Sequence, residues 1–217
     1  MKNNKKQKGF TLIELLVVIA IIAILAVVVI LTLNPAELLR QARDSNRVSD
    51  FATLKSSLSL YATDVSTTTW MSGSSTSTTS TIFISGPSGS SISNASETAT
   101  TGCVTSTPSV IGGWGFTGGE NVASSGAGTA ASRAVNGTGW IPVNFTAISS
   151  GAPISALPVD PVNTGTNLYM FVGGQTTYKL ATKTESLKYS DGGSGDVEST
   201  DGGTSLCTLE SGTNLTF

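Results

Sequence analysis

The 217-residue sequence contains no histidine. This excludes Ser-His-Asp and Cys-His catalysis and histidine-ligated metals, the commonest ways to build a hydrolytic centre. Charge is scarce as well, at 12% of residues, and it is unevenly placed. Between Phe10 and Leu33 there is no glycine, no proline and a single charged side chain, Glu14. Basic residues are few beyond the N-terminus: from Ser66 onward 4 stand against 9 acidic ones, so that part carries about −5. Such a surface is a poor electrostatic match for nucleic acid, and no nucleic-acid partner is expected. No nucleophile–base pair is visible, so the chain does not read as an enzyme.

What is present begins with a basic leader, MKNNKKQKG, followed directly by the apolar run. As a helix those 24 residues would extend roughly 36 Å, slightly more than a hydrocarbon core of about 30 Å. One membrane-spanning helix is the expectation. Lys2, Lys5, Lys6 and Lys8 precede it without any acid, which keeps the extreme N-terminus cytoplasmic and sends the remainder outward. An ordinary secretory signal is cut after its apolar region at small residues, and nothing after Leu33 has that form. The informative cut lies between Gly9 and Phe10 and leaves the apolar helix on the mature protein.

The stretch KGFTLIELLVVIAIIAILA, residues 8–26, closely resembles the class III leader and N-terminal helix of type IV prepilins and type II secretion pseudopilins. The resemblance implies a prepilin peptidase that cleaves after Gly9 and methylates the new amine of Phe10. It also implies a structural role: polymerisation with copies of itself and other pilins into a type IV pilus or pseudopilus. An inner-membrane assembly platform and an ATPase would serve that assembly. The subunit would wait in the cytoplasmic membrane, single-pass, before entering a cell-surface or periplasmic filament. A carboxylate inside a bilayer costs at least a few kcal/mol and is normally paired. After cleavage Phe10 carries an ammonium, and Glu14 lies about one helical turn away. Among stacked helices the carboxylate of one subunit can meet the terminal amine of its neighbour, strongly and in register in an apolar medium. In many type IV pilins a proline interrupts the apolar segment; here Leu31 is near that place and Pro35 comes later.

Asn34-Pro35-Ala36-Glu37 closes the apolar run. Asn suits a helix cap, Pro a first helical position, and Glu37 the third position of a capping box. A kink or short break is expected there, followed by a second helical stretch to about Thr63. Val48, Phe51, Leu54, Leu58, Tyr61 and Ala62 fall within an arc of about 140° at 100° per residue, the stripe of a helix lying on a core. Leu38 and Leu39 lie off that stripe. Arg40, Arg43, Asp44, Arg47 and Asp50 read as a solvated charged face or as contacts between subunits, with Arg40 and Asp44 at i,i+4 spacing.

The chain thus divides into a leader (1–9), a transmembrane and assembly helix (10–33), an amphipathic continuation (34–63) and an exported β-rich head (64–217). The expected fold class is α+β, one long helix whose second half packs on a small antiparallel sheet, the lollipop of pilins. In residues 66–101, 22 of 36 are Ser or Thr, a surface excursion with one short apolar run, Ile82-Phe83-Ile84. Strand candidates are Val110–Phe116, Trp140–Phe145, Asn167–Gly173 and Thr176–Thr182, the last two joined by a tight hairpin at Gly173-Gly174-Gln175. Tyr169, Phe171, Tyr178 and Leu180 give that hairpin bulk on alternating faces.

Leu157-Pro158-Val159-Asp160-Pro161 resembles the LPxDP loop of major pseudopilins, although Val162-Asn163 replaces the Trp-Gly common there. Its prolines rigidify the loop and Asp160 is expected to bond local amides. Asp191, Asp196, Glu198 and Asp201 form the only acidic cluster, Gly-rich and comparable to the calcium loop of major pseudopilins; a solvated turn or a calcium site fits it. Cys103 and Cys207 lie in the exported part, where one disulfide is expected rather than two thiols, closing a loop worth about 4 to 5 kcal/mol. The readings that stay open are a major shaft subunit, a minor pilin whose Ser/Thr-rich excursion binds a surface or substrate, and a type II secretion pseudopilin that moves exported substrates.

Overall fold

A computed structural model describes residues 9–65, 81–86, 121–122, 133–164, 167–173, 177–203 and 205–215. The architecture is α+β: an apolar helix α1 (Leu12–Leu33), a second helix α2 (Pro35–Asp64), then five short strands. The chain divides into two compact units, residues 1–39 and 40–217.

In the first unit α1 is apolar on every side, as the sequence requires, and none of its membrane-length window Leu12–Ile30 is buried within the protein. It ends where expected. Asn34 takes a left-handed conformation, φ 41° and ψ 72°, which asparagine tolerates, and caps the C-terminus of α1. Pro35 then opens α2, where its missing N–H costs nothing. Asn34 therefore closes one helix and also supplies the carbonyl that accepts the Glu37 N–H at 3.0 Å in the next.

In the second unit β1 (Thr81–Ile84), β2 (Asn121–Val122), β3 (Met170–Gly173), β4 (Tyr178–Thr182) and β5 (Leu209–Gly212) form one sheet in the order β2-β1-β3-β4-β5. Only β1 and β2 run parallel. Phe51, Leu54, Leu58 and Tyr61 of α2 pack on the face that carries Phe83, Tyr169, Phe171, Tyr178 and Leu180. Phe51 meets Tyr169 edge to face at 5.3 Å between ring centroids, and Tyr61 meets Phe145 likewise at 6.1 Å. The opposite face buries a second cluster, Ile82, Ile84, Leu168, Met170, Val172 and Ala181. Both faces are covered, so β1 and β3 read as nearly continuous apolar runs rather than as alternation.

Several expectations need correction. The stripe on α2 is narrower than predicted, because Val48 is 37% exposed and Ala62 is exposed. Tyr169, Phe171, Tyr178 and Leu180 share one face: Phe171 opposes Leu180 and Gly173 opposes Tyr178, which aligns all four. Trp140–Phe145 is not a strand. Pro142 removes a ladder donor, and the segment keeps one bridge, Asn136 to Asn144, before a 3-10 turn at Phe145–Ala147. Its side chains are nevertheless core: Trp140, Val143 and Phe145 are fully buried. The hairpin strands start later than predicted, at Met170 and Tyr178. Their connecting turn and the candidate at 110–116 lie outside the described residues.

Candidate processing and assembly site

Gly9 and Phe10 precede the first turn of α1 and have no helical structure. Phe10 is 86% exposed and a Cβ placed on Gly9 would meet nothing, so the Gly9–Phe10 bond is open on both sides. Thr11 is the N-cap. Its Oγ1 accepts the Glu14 N–H at 3.3 Å, while Glu14 Oε2 accepts the Thr11 N–H at 2.9 Å and the Thr11 hydroxyl at 2.7 Å. This is a capping box, and it satisfies donors that a helix start leaves orphaned. Thr11 escaped the sequence reading although Thr-Leu-Ile-Glu has the required spacing. The lone carboxylate of the apolar run therefore has a local role, ordering the backbone immediately after the Gly9–Phe10 junction.

Of the charged residues of early α2 Arg40 is exposed, but the others do not form a solvated face. Asp44 and Arg47 are fully buried. Arg47 binds Asp160 through two nitrogens, at 2.6 and 3.0 Å, and its third reaches Asp44 at 2.6 Å and Glu185 at 2.9 Å. Arg43 grips Glu185 from the other side at 2.7 Å. Asp44 also accepts the N–H groups of Glu185 and Ser186, at 3.0 and 2.8 Å. Burial lowers the tendency of Arg47 to stay charged, but the surrounding carboxylates outweigh it and push its pKa up. Burial pushes the Glu185 carboxyl up too, yet Arg43 and Arg47 prevail and hold it below the ordinary range. Asp160 does bond local amides, Val162 at 2.8 Å and Asn163 at 3.2 Å. Its pairing with Arg47 ties the Leu157–Pro161 loop to α2, a contact no local pattern reveals.

Asp191 is exposed, and the other three acidic residues of the 191–201 stretch are drawn to different partners. Asp196 accepts from Gly192, Glu198 and Ser199, and these bonds, led by the Ser199 hydroxyl, lower its pKa to about 2. Glu198 accepts from the Thr184 hydroxyl at 2.8 Å and from the Asp191 N–H at 3.3 Å, and burial pushes its carboxyl up. Asp201 accepts from Gly203 and from the Glu210 N–H. Among the described residues no three acidic or cysteine side chains are grouped to hold a metal ion. Cys207 is half-buried just ahead of β5, and Cys103 lies outside the described residues.

Residues 4–30 match the family described as the prokaryotic N-terminal methylation motif, the signature of type IV prepilins and pseudopilins. No curated relative and no solved structure matches the chain. The N-terminal segment is thus that of a pilin- or pseudopilin-like precursor, and α1 is an apolar helix suited to membrane anchoring.

Proposed function

We propose that the protein is a structural subunit, cut between Gly9 and Phe10, methylated on the new Phe10 amine and polymerised into a type IV pilus or pseudopilus filament. The observation that carries this reading is the matched segment itself: an open Gly9–Phe10 junction followed within two residues by a capped, wholly apolar helix with one carboxylate. Its N-terminus faces the cytoplasm before assembly, on the strength of the four leader lysines. Glu14 pairs with the Phe10 ammonium of a neighbouring copy. The capping box supports this role, since it fixes the first turn and sets the Glu14 carboxylate beside the backbone that becomes the new terminus. Prepilin peptidase, an assembly platform and its ATPase are the expected partners, and the subunit itself is not an enzyme. A Cys103–Cys207 bridge belongs to the same reading, supported by the absence of free cysteine among the described residues.

The test is mass analysis of the N-terminal peptide from sheared cell-surface material, comparing wild type with Glu14→Ala. A chain starting at methylated Phe10, abundant in wild type and lost from the sheared fraction in the mutant, is the expected result. An uncut chain starting at Met1 and retained in the membrane overturns the proposal. Measuring abundance in purified filaments separates a shaft subunit, which dominates the preparation, from a minor pilin.

A further inference from the structure

Among the described residues the sheet face opposite α2 buries an apolar cluster and, beside it, one charged pair. Lys179 of β4 and Glu210 of β5 are diagonal neighbours there, since Lys179 opposes Gly212 and Ala181 opposes Glu210. Val172, beside Lys179 on β3, and Ala181 belong to the buried apolar cluster of that face. Both charged side chains are 0% exposed, and Lys179 Nζ lies 2.6 Å from Glu210 Oε1. The amine also donates to the Leu215 carbonyl at 3.0 Å, and Glu210 Oε2 accepts the Ser205 N–H at 3.3 Å, so both groups are held in place. A third group stands beside them. Asp201 accepts the backbone N–H of Glu210. A Cβ built on Gly203 would lie 1.6 Å from Glu210 Oε2 and 2.9 Å from Asp201 Oδ1, so the two carboxylates flank one point that only glycine can occupy.

Removing an ammonium and a carboxylate from water is costly, and one proton transferred across their contact would give the neutral form of the pair. The neutral form is an amine beside a carboxylic acid, a nucleophile beside its electrophile. Held in contact, the two react as one molecule rather than by chance encounter, which raises the effective concentration by many orders of magnitude.

We propose that Lys179 and Glu210 condense into an intramolecular isopeptide bond that staples β4 to β5. One proton passes from the ammonium to the carboxylate. The Nζ lone pair attacks Cδ of Glu210, the C–N bond forms, and the C–OH bond breaks. Asp201 accepts the surplus proton from nitrogen and delivers it to the departing hydroxyl. One ammonium and one carboxylate become one amide and one water, with no oxidant, cofactor or second substrate. The product closes residues 179–210 into a covalent ring in the exported unit, a staple suited to a protein under mechanical load.

The full chain decides this by mass spectrometry after reduction, denaturation and trypsin. The expected result is no cleavage after Lys179 and a branched peptide joining the segments around Lys179 and Glu210, lighter than their sum by one water. Cleavage after Lys179 with both peptides at full mass overturns the proposal and leaves an ordinary buried ion pair. Asp201→Asn is expected to reduce the branched peptide at least tenfold; an undiminished yield overturns the relay role of Asp201. The wild-type measurement needs no variant to fold, and it is independent of how the N-terminus is processed.

Discussion

Glu14 and Arg47 are both charged side chains on helices, and the chain treats them in opposite ways. Arg47 is wholly enclosed by its own chain, with carboxylates from α2, the Leu157–Pro161 loop and the segment at Glu185 filling its donor sites. Glu14 is exposed, and the bonds it makes stay within one turn of its own helix. A charge satisfied from its own helix and from two distant segments serves the fold, because removing it strands its partners away from water. A charge left at the surface of an apolar helix contributes little to folding and is free to serve association.

That contrast is sharpest under mutation. Arg47→Ala strands the buried Asp44 and Asp160 carboxylates and is expected to lower stability by about 3 to 5 kcal/mol, read as the midpoint of denaturant unfolding followed by Trp140 fluorescence. A smaller effect follows from Thr11→Ala, which removes a helix cap at a cost of about 1 kcal/mol. It should speed amide exchange over residues 12–15 while leaving the unfolding of residues 40–217 unchanged; slowed unfolding or a shifted midpoint of that unit would blur the comparison. Glu14→Ala is expected to move that same midpoint by less than about 0.5 kcal/mol even as it removes the subunit from filaments. A destabilised second unit in this mutant would mean that Glu14 serves the fold after all.

The smallest expected effect is a pH dependence. Asp196 titrates at about 2 in the fold against an ordinary 3.8, so its contribution is present above about pH 4 and is lost as the pH falls toward 2. Glu198 and Asp201 are raised by burial and act with the opposite sign, their cost being relieved as they protonate. Amide protection around residues 192–199 should therefore persist to about pH 4 and fall below it, and Asp196→Ala should abolish that acid step.

The unit at residues 1–39 was almost fully legible. Its helix and the break at Asn34-Pro35 depend on neighbours within a turn or two, and the helix bounds Leu12–Leu33 follow closely from the apolar run. In the second unit the stripe Phe51, Leu54, Leu58 and Tyr61 was legible for the same reason, being a property of one helix. The hairpin strands were found with their C-terminal ends at Gly173 and Thr182, and only their starts were placed too early. β5 was missed, because Leu-Glu-Ser-Gly has none of the β-branched or aromatic residues that mark a strand.

What the sequence by itself determined is therefore what lies within one helix: an apolar span with a single carboxylate, a proline-marked break and an amphipathic continuation. Only the tertiary structure decided that Asp44 and Arg47 are interior. At three residues' spacing on a helix they look like any solvated pair, and they become core only because Asp160, 113 residues beyond Arg47, and Glu185 arrive to meet them. The same holds for Lys179 and Glu210, whose pairing exists only once β4 and β5 lie side by side. Burial of charge is decided by partners, and partners distant in sequence leave no periodic trace.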